Sequence, residues 1–316
     1  MQKLASVVMS VYNEPFCYIE QAVDSIIGQT YPSIEIIVVV DNPKNVELVG
    51  RIIEKYGDVD RIRIIVNSHN IGLAKSLNVG IDNANGYYIA RMDADDISFP
   101  ERISKEIDYL EAHDLDLVAC AVEKIDSDGN SIGVIHPTAI TPEEINSYIA
   151  YKNPIVHPTV VMKTEAVKSV GKYRNYNACQ DYDLWTRFVS QGYKLGQLDE
   201  ILFYFRRHKE SITATRRFSQ VINELYIQKL FAERKKNGGQ DSFSEESLKY
   251  FREGYGASNQ ETVERENRLL ANYNLGIQAL KELKIGKGIR KIVPALRSKL
   301  VRSVISTTIK TKKQLH

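Results

Sequence analysis

Through the first third of the chain, short apolar runs alternate with segments whose apolar residues recur at helical spacing. This is the pattern of an α/β domain. Val7 to Val11 reads as a first strand, followed by a helix with apolar positions Ile19, Ala22, Val23, Ile26 and Ile27 that stops at Gly28. Ile34 to Val40 is a continuous buried-strand run closed by Asp41-Asn42-Pro43, and a second helix carries Leu48, Val49, Ile52, Ile53 and Tyr56. Ile62 to Val66 is the third strand. After the turn-like Asn67 to Gly72, a third helix runs through Leu73, Leu77 and Ile81 and breaks near Asn85-Gly86. Tyr87 to Met92 is the fourth strand, and it leads directly into Asp93-Ala94-Asp95-Asp96.

Ligands of open α/β sheets gather at the carboxyl ends of strands. Here the first strand ends in Tyr12-Asn13-Glu14, the second in Asp41 and the fourth in the acidic cluster. Carboxylates held this close repel one another unless a cation neutralises them, and hard oxygen donors favour Mg²⁺ or Mn²⁺ with positions left open for phosphates. The alternative for such a cluster is a solvated acidic turn that caps the next helix. No glycine-rich loop follows the first strand, so neither a P-loop nor a dinucleotide fingerprint is present. A metal, rather than backbone amides, must then hold any diphosphate.

The 316 residues, 43% hydrophobic and 26% charged, suffice for a full core with one or two domains. Cys17, Cys120 and Cys179 are far apart and lack metal-like spacing, which predicts a reducing, cytoplasmic compartment without a disulfide framework or zinc site. The amino-terminal segment shows no signal-peptide pattern, and no apolar run is long enough to span a bilayer.

Six blocks follow one another along the chain: Val7 to Glu14, Ser25 to Pro32, Asn70 to Asn78, Ala90 to Asp96 through Phe99-Pro100-Glu101-Arg102, His157-Pro158-Thr159, and Gln180-Asp181-Tyr182-Asp183-Leu184-Trp185-Thr186-Arg187. In this order they resemble the family 2 glycosyltransferases of GT-A fold, of the kind that build bacterial O-antigen and capsule polysaccharides. The resemblance runs from about residue 5 to about residue 215. It implies a GT-A catalytic domain over 1–215, a mixed sheet flanked by helices, with a donor half over about 1–100 and an acceptor half over about 101–215. Residues 216–316 are then a helical C-terminal extension.

The implied activity is inverting transfer of a sugar from a nucleotide-sugar donor to an acceptor hydroxyl, with Mn²⁺ or Mg²⁺ as cofactor. By the family pattern Asp95 and Asp96 lie nearest ribose and metal, supported by Asp93. Asp41 matches the carboxylate that accepts a hydrogen bond from the donor base, which favours uracil or thymine, hence most readily a UDP-sugar. Asp also opens turns, and Asn42-Pro43-Lys44 departs from the family's usual sequence here. Tyr12, Glu14, Asn70 and Lys75 complete the implied donor site.

Inversion in one displacement needs a general base, and Asp181 matches that position although Gln180 replaces the usual acidic neighbour. Helix capping is the other role open to Asp181. His157 and Trp185 are candidates for the acceptor side, each with a core role as the alternative. His208, after Arg206-Arg207, is a candidate for metal or diphosphate contact. The Gln-x-x-Arg-Trp block of processive synthases does not occur, which predicts a single sugar added per encounter.

Residues 281 to 316 carry eleven Lys/Arg against one acid, Glu282, so this +10 segment follows a body of net charge −8. Such a tail suits an anionic surface. Leu300, Val301, Val304, Ile305 and Ile309 share one helical face, with Lys299, Arg302 and Lys310 largely opposite. This helix is expected either to lie on the anionic inner leaflet of the cell membrane or to pack on the body or on a second subunit, which would give a homodimer through the C-terminal helices. A membrane position suits a lipid-linked glycan acceptor such as an undecaprenyl-diphosphate oligosaccharide, a partner implied by similar bacterial enzymes. A sugar nucleotidyltransferase would need a glycine-rich basic loop after the first strand. A noncatalytic glycan- or nucleic-acid-binding protein would not need Asp41, the acidic cluster and Asp181 together, so nucleic acid is not the expected partner.

Overall fold

The computed structural model describes residues 2–207 and 217–314. Two compact units form, one from Met1–Asn146 with Pro154–Lys209 and the other from Ser147–Asn153 with Glu210–His316.

The first unit is built on a mixed sheet in the order β3-β2-β1-β4-β8-β6-β9-β5, with β7 paired to β6. Strands β1 (Ala5–Val11), β2 (Ile34–Val40), β3 (Ile62–Val66) and β4 (Tyr88–Asp93) are parallel. Every position of β1 is buried because both faces of the sheet are covered. On one side, Val7, Met9, Ile36 and Val38 meet buried residues of α1 (Phe16–Ile27), α2 (Val46–Tyr56) and α4 (Arg102–Ala112). On the other, α3 (Leu73–Asp82) lies against β1 and β2.

The register decides where the site lies. Ser10 is level with Asp93, Val11 with Val40, and Val40 with Val66, so the residues that follow these strands emerge along one edge. The antiparallel additions close on that edge. β5 (Ile97–Ser98) pairs with the far end of β9 (Leu195–Arg206), while β8 (Val161–Lys163) joins β4 to β6 (Leu117–Ile125). β7 (Ser131–Ile135), α5 (Pro142–Tyr148), α6 (Thr164–Ser169), α7 (Gln180–Ser190) and a single 3-10 turn at His157–Thr159 complete the described elements of this part of the chain.

Buried polar side chains tie the motif segments together. Gln29 at the end of α1 donates to the carbonyl of Phe99 at 2.7 Å and accepts from the amide of Ile103 at 3.1 Å. Arg102 donates to the Ser98 hydroxyl at 2.8 Å and to the carbonyls of Thr159 and Arg91 at 3.2 and 3.3 Å. These bonds fix the turn carrying His157 against the strand carrying the acidic cluster.

The second unit is helical: α8 (Arg217–Lys236), α9 (Glu245–Glu253), α10 (Gln260–Lys281), α11 (Ile285–Ala295) and α12 (Lys299–Gln314). Its core includes Phe218, Val221, Ile222, Leu270, Leu300 and Val301, with Val304 and Ile305 packed against it. The apolar face expected to choose between membrane and protein is therefore used largely within its own unit. Ile309 alone of that face is exposed. Among the described residues no helix is long and apolar enough to cross a membrane.

Candidate active site

The site grows from the carboxyl edge of the four parallel strands. Asp93 ends β4, and Asp95 and Asp96 follow in the turn before β5. Each offers a carboxylate oxygen within 4.8 Å of the others. Asp93 and Asp95 are half-buried, whereas Asp96 is only 1% exposed. One Asp96 oxygen, Oδ1, accepts the backbone N–H of Arg206 at 2.7 Å. The other, Oδ2, is buried with no hydrogen-bond partner among the described residues. Burial first, and then the charges of Asp93 and Asp95, raise the Asp96 carboxyl well above the usual carboxylate range.

Two arginines brace this cluster, and neither was singled out from sequence. Arg91, buried on the same strand, pairs with Asp93. Arg206 at the end of β9 donates to the carbonyl of Asp95 at 2.8 Å and to Gln21 at 2.7 Å. The Arg91 partnership was available in the sequence, since residues two apart on a strand share a face. That of Arg206 depends on the β5–β9 pairing, which joins segments more than a hundred residues apart.

At the end of β1, Tyr12 is exposed and its amide donates to Glu14 at 2.7 Å. The Glu14 carboxyl is raised chiefly by burial, which backbone hydrogen bonds oppose and the charges of Asp95 and Asp93 reinforce. Glu14 therefore lies within electrostatic reach of Asp95 and Asp93. Asn42, the departure from the family pattern, donates to the Asn13 side chain at 2.7 Å and laces the ends of β1 and β2 together.

Asp41 does more than open a turn. Its Oδ1 accepts from Asn67 Nδ2 at 2.8 Å and from the amide of Ile71 at 2.9 Å, and its Oδ2 accepts from the amide of Gly72 at 2.8 Å. The buried carboxylate thus shapes the loop that presents Asn70 and leads into α3, whose first turn carries Lys75, both side chains being exposed. A carboxylate accepts roughly four hydrogen bonds, so about one position, on Oδ2, is left open.

The other wall combines α7 with the turn at 157. Asp181 is half-buried in the first turn of α7, while Asp183 is fully buried and binds Arg187 Nε at 2.8 Å. Arg187 also donates to the carbonyls of Val170 and Lys172, so Asp183 organises the segment that leads to Tyr173. Asn78 of α3 grips Tyr173 at both backbone groups, at 3.0 and 2.8 Å. His157 Nε2 and the Tyr173 hydroxyl are hydrogen-bonded at 2.9 Å. Burial, followed by the charge of Arg91, lowers the His157 pKa well below its ordinary value, so this ring is neutral. Burial also raises the Tyr173 phenol; Arg91 opposes the rise and the charges of Asp181 and Asp93 add to it. Tyr173, unforeseen in the sequence, therefore lies within electrostatic reach of both Asp181 and Asp93.

Trp185 does not line an open acceptor surface. It is 0% exposed, with its ring centroid 6.2 Å from that of His157, and it backs the histidine from the core. His208 lies outside the described residues.

A mixed sheet of this order, flanked by helices and ending β4 in an acidic cluster, is the GT-A fold. The model of glycosyl transferase family 2 matches residues 6–171. An uncharacterised glycosyltransferase of Methanocaldococcus jannaschii is 34% identical over 236 residues, covering 74% of this chain and 81% of its own. The amylovoran biosynthesis glycosyltransferase AmsE of Erwinia amylovora is 30% identical over 235 residues, covering 74% and 87%. The structure of S. aureus TarS 1-349 in complex with UDP-GlcNAc superposes with a TM-score of 0.61 at 16% identity, covering 97% of this chain and 92% of that one. The chain belongs to glycosyl transferase family 2, and it is a glycosyltransferase.

Proposed function

We propose that this enzyme transfers one sugar, with inversion, from a UDP-sugar to a glycan acceptor in the synthesis of a surface polysaccharide. The observation that carries the reading is the buried Oδ2 of Asp96, without a hydrogen-bond partner among the described residues, in a group of three carboxylates at the sheet edge. That donor set fits a hard divalent cation, Mn²⁺ or Mg²⁺, held by Asp95 and Asp96 with Asp93 in support. Such a cation supplies charge stabilisation for the departing diphosphate.

Asp41 offers its remaining oxygen position to the imide N–H of uracil, and the exposed Tyr12 offers a face for the base. Lys75, in the first turn of α3, is the residue we assign to phosphate charge. Asp181 removes the proton of the acceptor hydroxyl as the new glycosidic bond forms. His157, neutral and fixed by Tyr173, positions that hydroxyl. The UDP-GlcNAc bound by TarS and the polysaccharide named for AmsE support the choice of donor base and of product class. The acceptor we favour is lipid-linked, carried on a polyprenyl diphosphate.

A thermal-shift panel of UDP-, GDP- and dTDP-sugars, each with and without Mn²⁺, tests this reading. Stabilisation by a UDP-sugar only when metal is present is the expected result. Equal stabilisation by all three bases would remove Asp41 from base recognition. Proton NMR of the transferred sugar is expected to show the anomeric configuration opposite to that of the donor.

A further inference from the structure

Helix α11 presents three different faces. One closes on α10, where a Cβ on Gly288 would lie 3.0 Å from the Gly276 carbonyl oxygen and Ile292 fills the space beside Gly276. The glycines permit this close approach, and Ala295 is buried on the same side. A second face carries Ile285, Ile289, Val293 and Leu296, spaced to form one stripe and exposed by 61, 52, 56 and 40%. Leu283, just ahead of the helix, is 84% exposed. The third face carries Lys287, Arg290 and, just beyond the helix end, Arg297, all exposed, and α11 contains no acidic residue.

An exposed apolar stripe beside a purely basic one requires a partner that satisfies both. Pairing two copies stripe to stripe would bring their basic rims together. A nucleic acid would meet the cations and leave the isoleucines in water. An anionic bilayer accepts apolar side chains at the level of its acyl boundary and cations at its phosphates.

We propose that α11 is an interfacial anchor whose apolar stripe enters an anionic lipid surface while Lys287, Arg290 and Arg297 lie among the headgroups. This assignment concerns α11 and not α12, whose apolar face is already used in the core of the unit. It is independent of donor and metal, so its test needs no turnover.

The full chain is sedimented with vesicles of phosphatidylcholine alone and of phosphatidylcholine containing about 30% phosphatidylglycerol, at low and high salt. Binding is expected only to the anionic vesicles and is weakened by salt. Ile289→Asp with Val293→Asp is expected to lower the partition about tenfold or more, and Lys287→Glu with Arg290→Glu about fivefold or more. These positions are exposed, and circular dichroism verifies that the variants are folded. Absence of the wild type from anionic pellets, or wild-type partition by both double variants, overturns the proposal. So does a wild-type dimer in light scattering that Ile289→Asp dissociates, which would make the stripe a self-association face.

Discussion

A buried carboxylate with an unpartnered oxygen and two carboxylate neighbours costs stability unless a cation joins it, and among the described residues Asp96 meets both conditions. Asp96→Asn keeps the oxygen that accepts from Arg206 and removes the charge. It is expected to raise the Tm of the metal-free protein by about 2 °C or more while abolishing stabilisation by UDP with Mn²⁺. A lowered metal-free Tm with metal-dependent stabilisation intact would show that the charge serves the fold alone. For Asp181→Asn, UDP binding should be retained and turnover should fall about 10²-fold or more, checked by calorimetry beside a transfer assay. The Glu106 carboxyl is pushed up to about 8 by burial, against the opposing charge of Arg102. An acid raised in the folded state holds its proton more tightly there, so stability declines as pH climbs from about 4.3, the unfolded value, toward 8. Glu106→Gln removes that decline, and the Tm difference in its favour should widen between about pH 5 and pH 8. Parallel Tm curves for the two proteins would mean that Glu106 stays ionised beside Arg102. The acidic cluster is marked in the sequence by three carboxylates within four residues at a strand end, whereas Asp41 and Asp181 stand out there only through the resemblance to the family. Tyr173 was not legible, since its place depends on Asn78, 95 residues away.

Among the elements, the parallel strands were the most legible. Ile34–Val40 and Ile62–Val66 have the boundaries expected: β2 is buried at every position but Glu35, and the edge strand β3 keeps its apolar residues although Arg63 and Val66 are exposed. β5 is two residues long and β8 three, too short to have a period, and both exist through pairing with distant strands. The apolar face of α12 is legible from periodicity, but its partner is tertiary, so periodicity alone does not decide between membrane and protein. The turn between α3 and β4 has a sharper requirement. A Cβ on Gly86 would lie 2.6 Å from the backbone nitrogen of Ser6 and 2.9 Å from the carbonyl oxygen of Leu4. Gly86→Ala is therefore expected to destabilise by about 1–3 kcal/mol or more, read as a lower urea midpoint with unchanged slope. An unchanged midpoint would show that the chain can shift there freely.

At the scale of the whole molecule, an acidic body is followed by a basic terminal segment, and the two ends of that contrast have separate tasks in this account. On the proposed function, the sheet edge concentrates carboxylates where a cation and a diphosphate would meet, and the exposed basic and apolar faces of α11 are left for a surface. On that proposal, coupling between metal and nucleotide is the property that joins the site residues into one enzyme. A nucleotide that binds only the folded state stabilises it by about 2.7 kcal/mol at a hundred times its Kd, so the coupling is visible without knowledge of the acceptor. The most direct measurement is isothermal calorimetry of UDP binding to the wild type and to Asp96→Asn, in Mn²⁺ and again in EDTA. Tight binding by the wild type in Mn²⁺, with at least about a tenfold loss in EDTA and the same loss in the variant, is the result expected. UDP binding of equal strength in all four conditions would contradict the account, because the carboxylate cluster would then have no part in holding the donor.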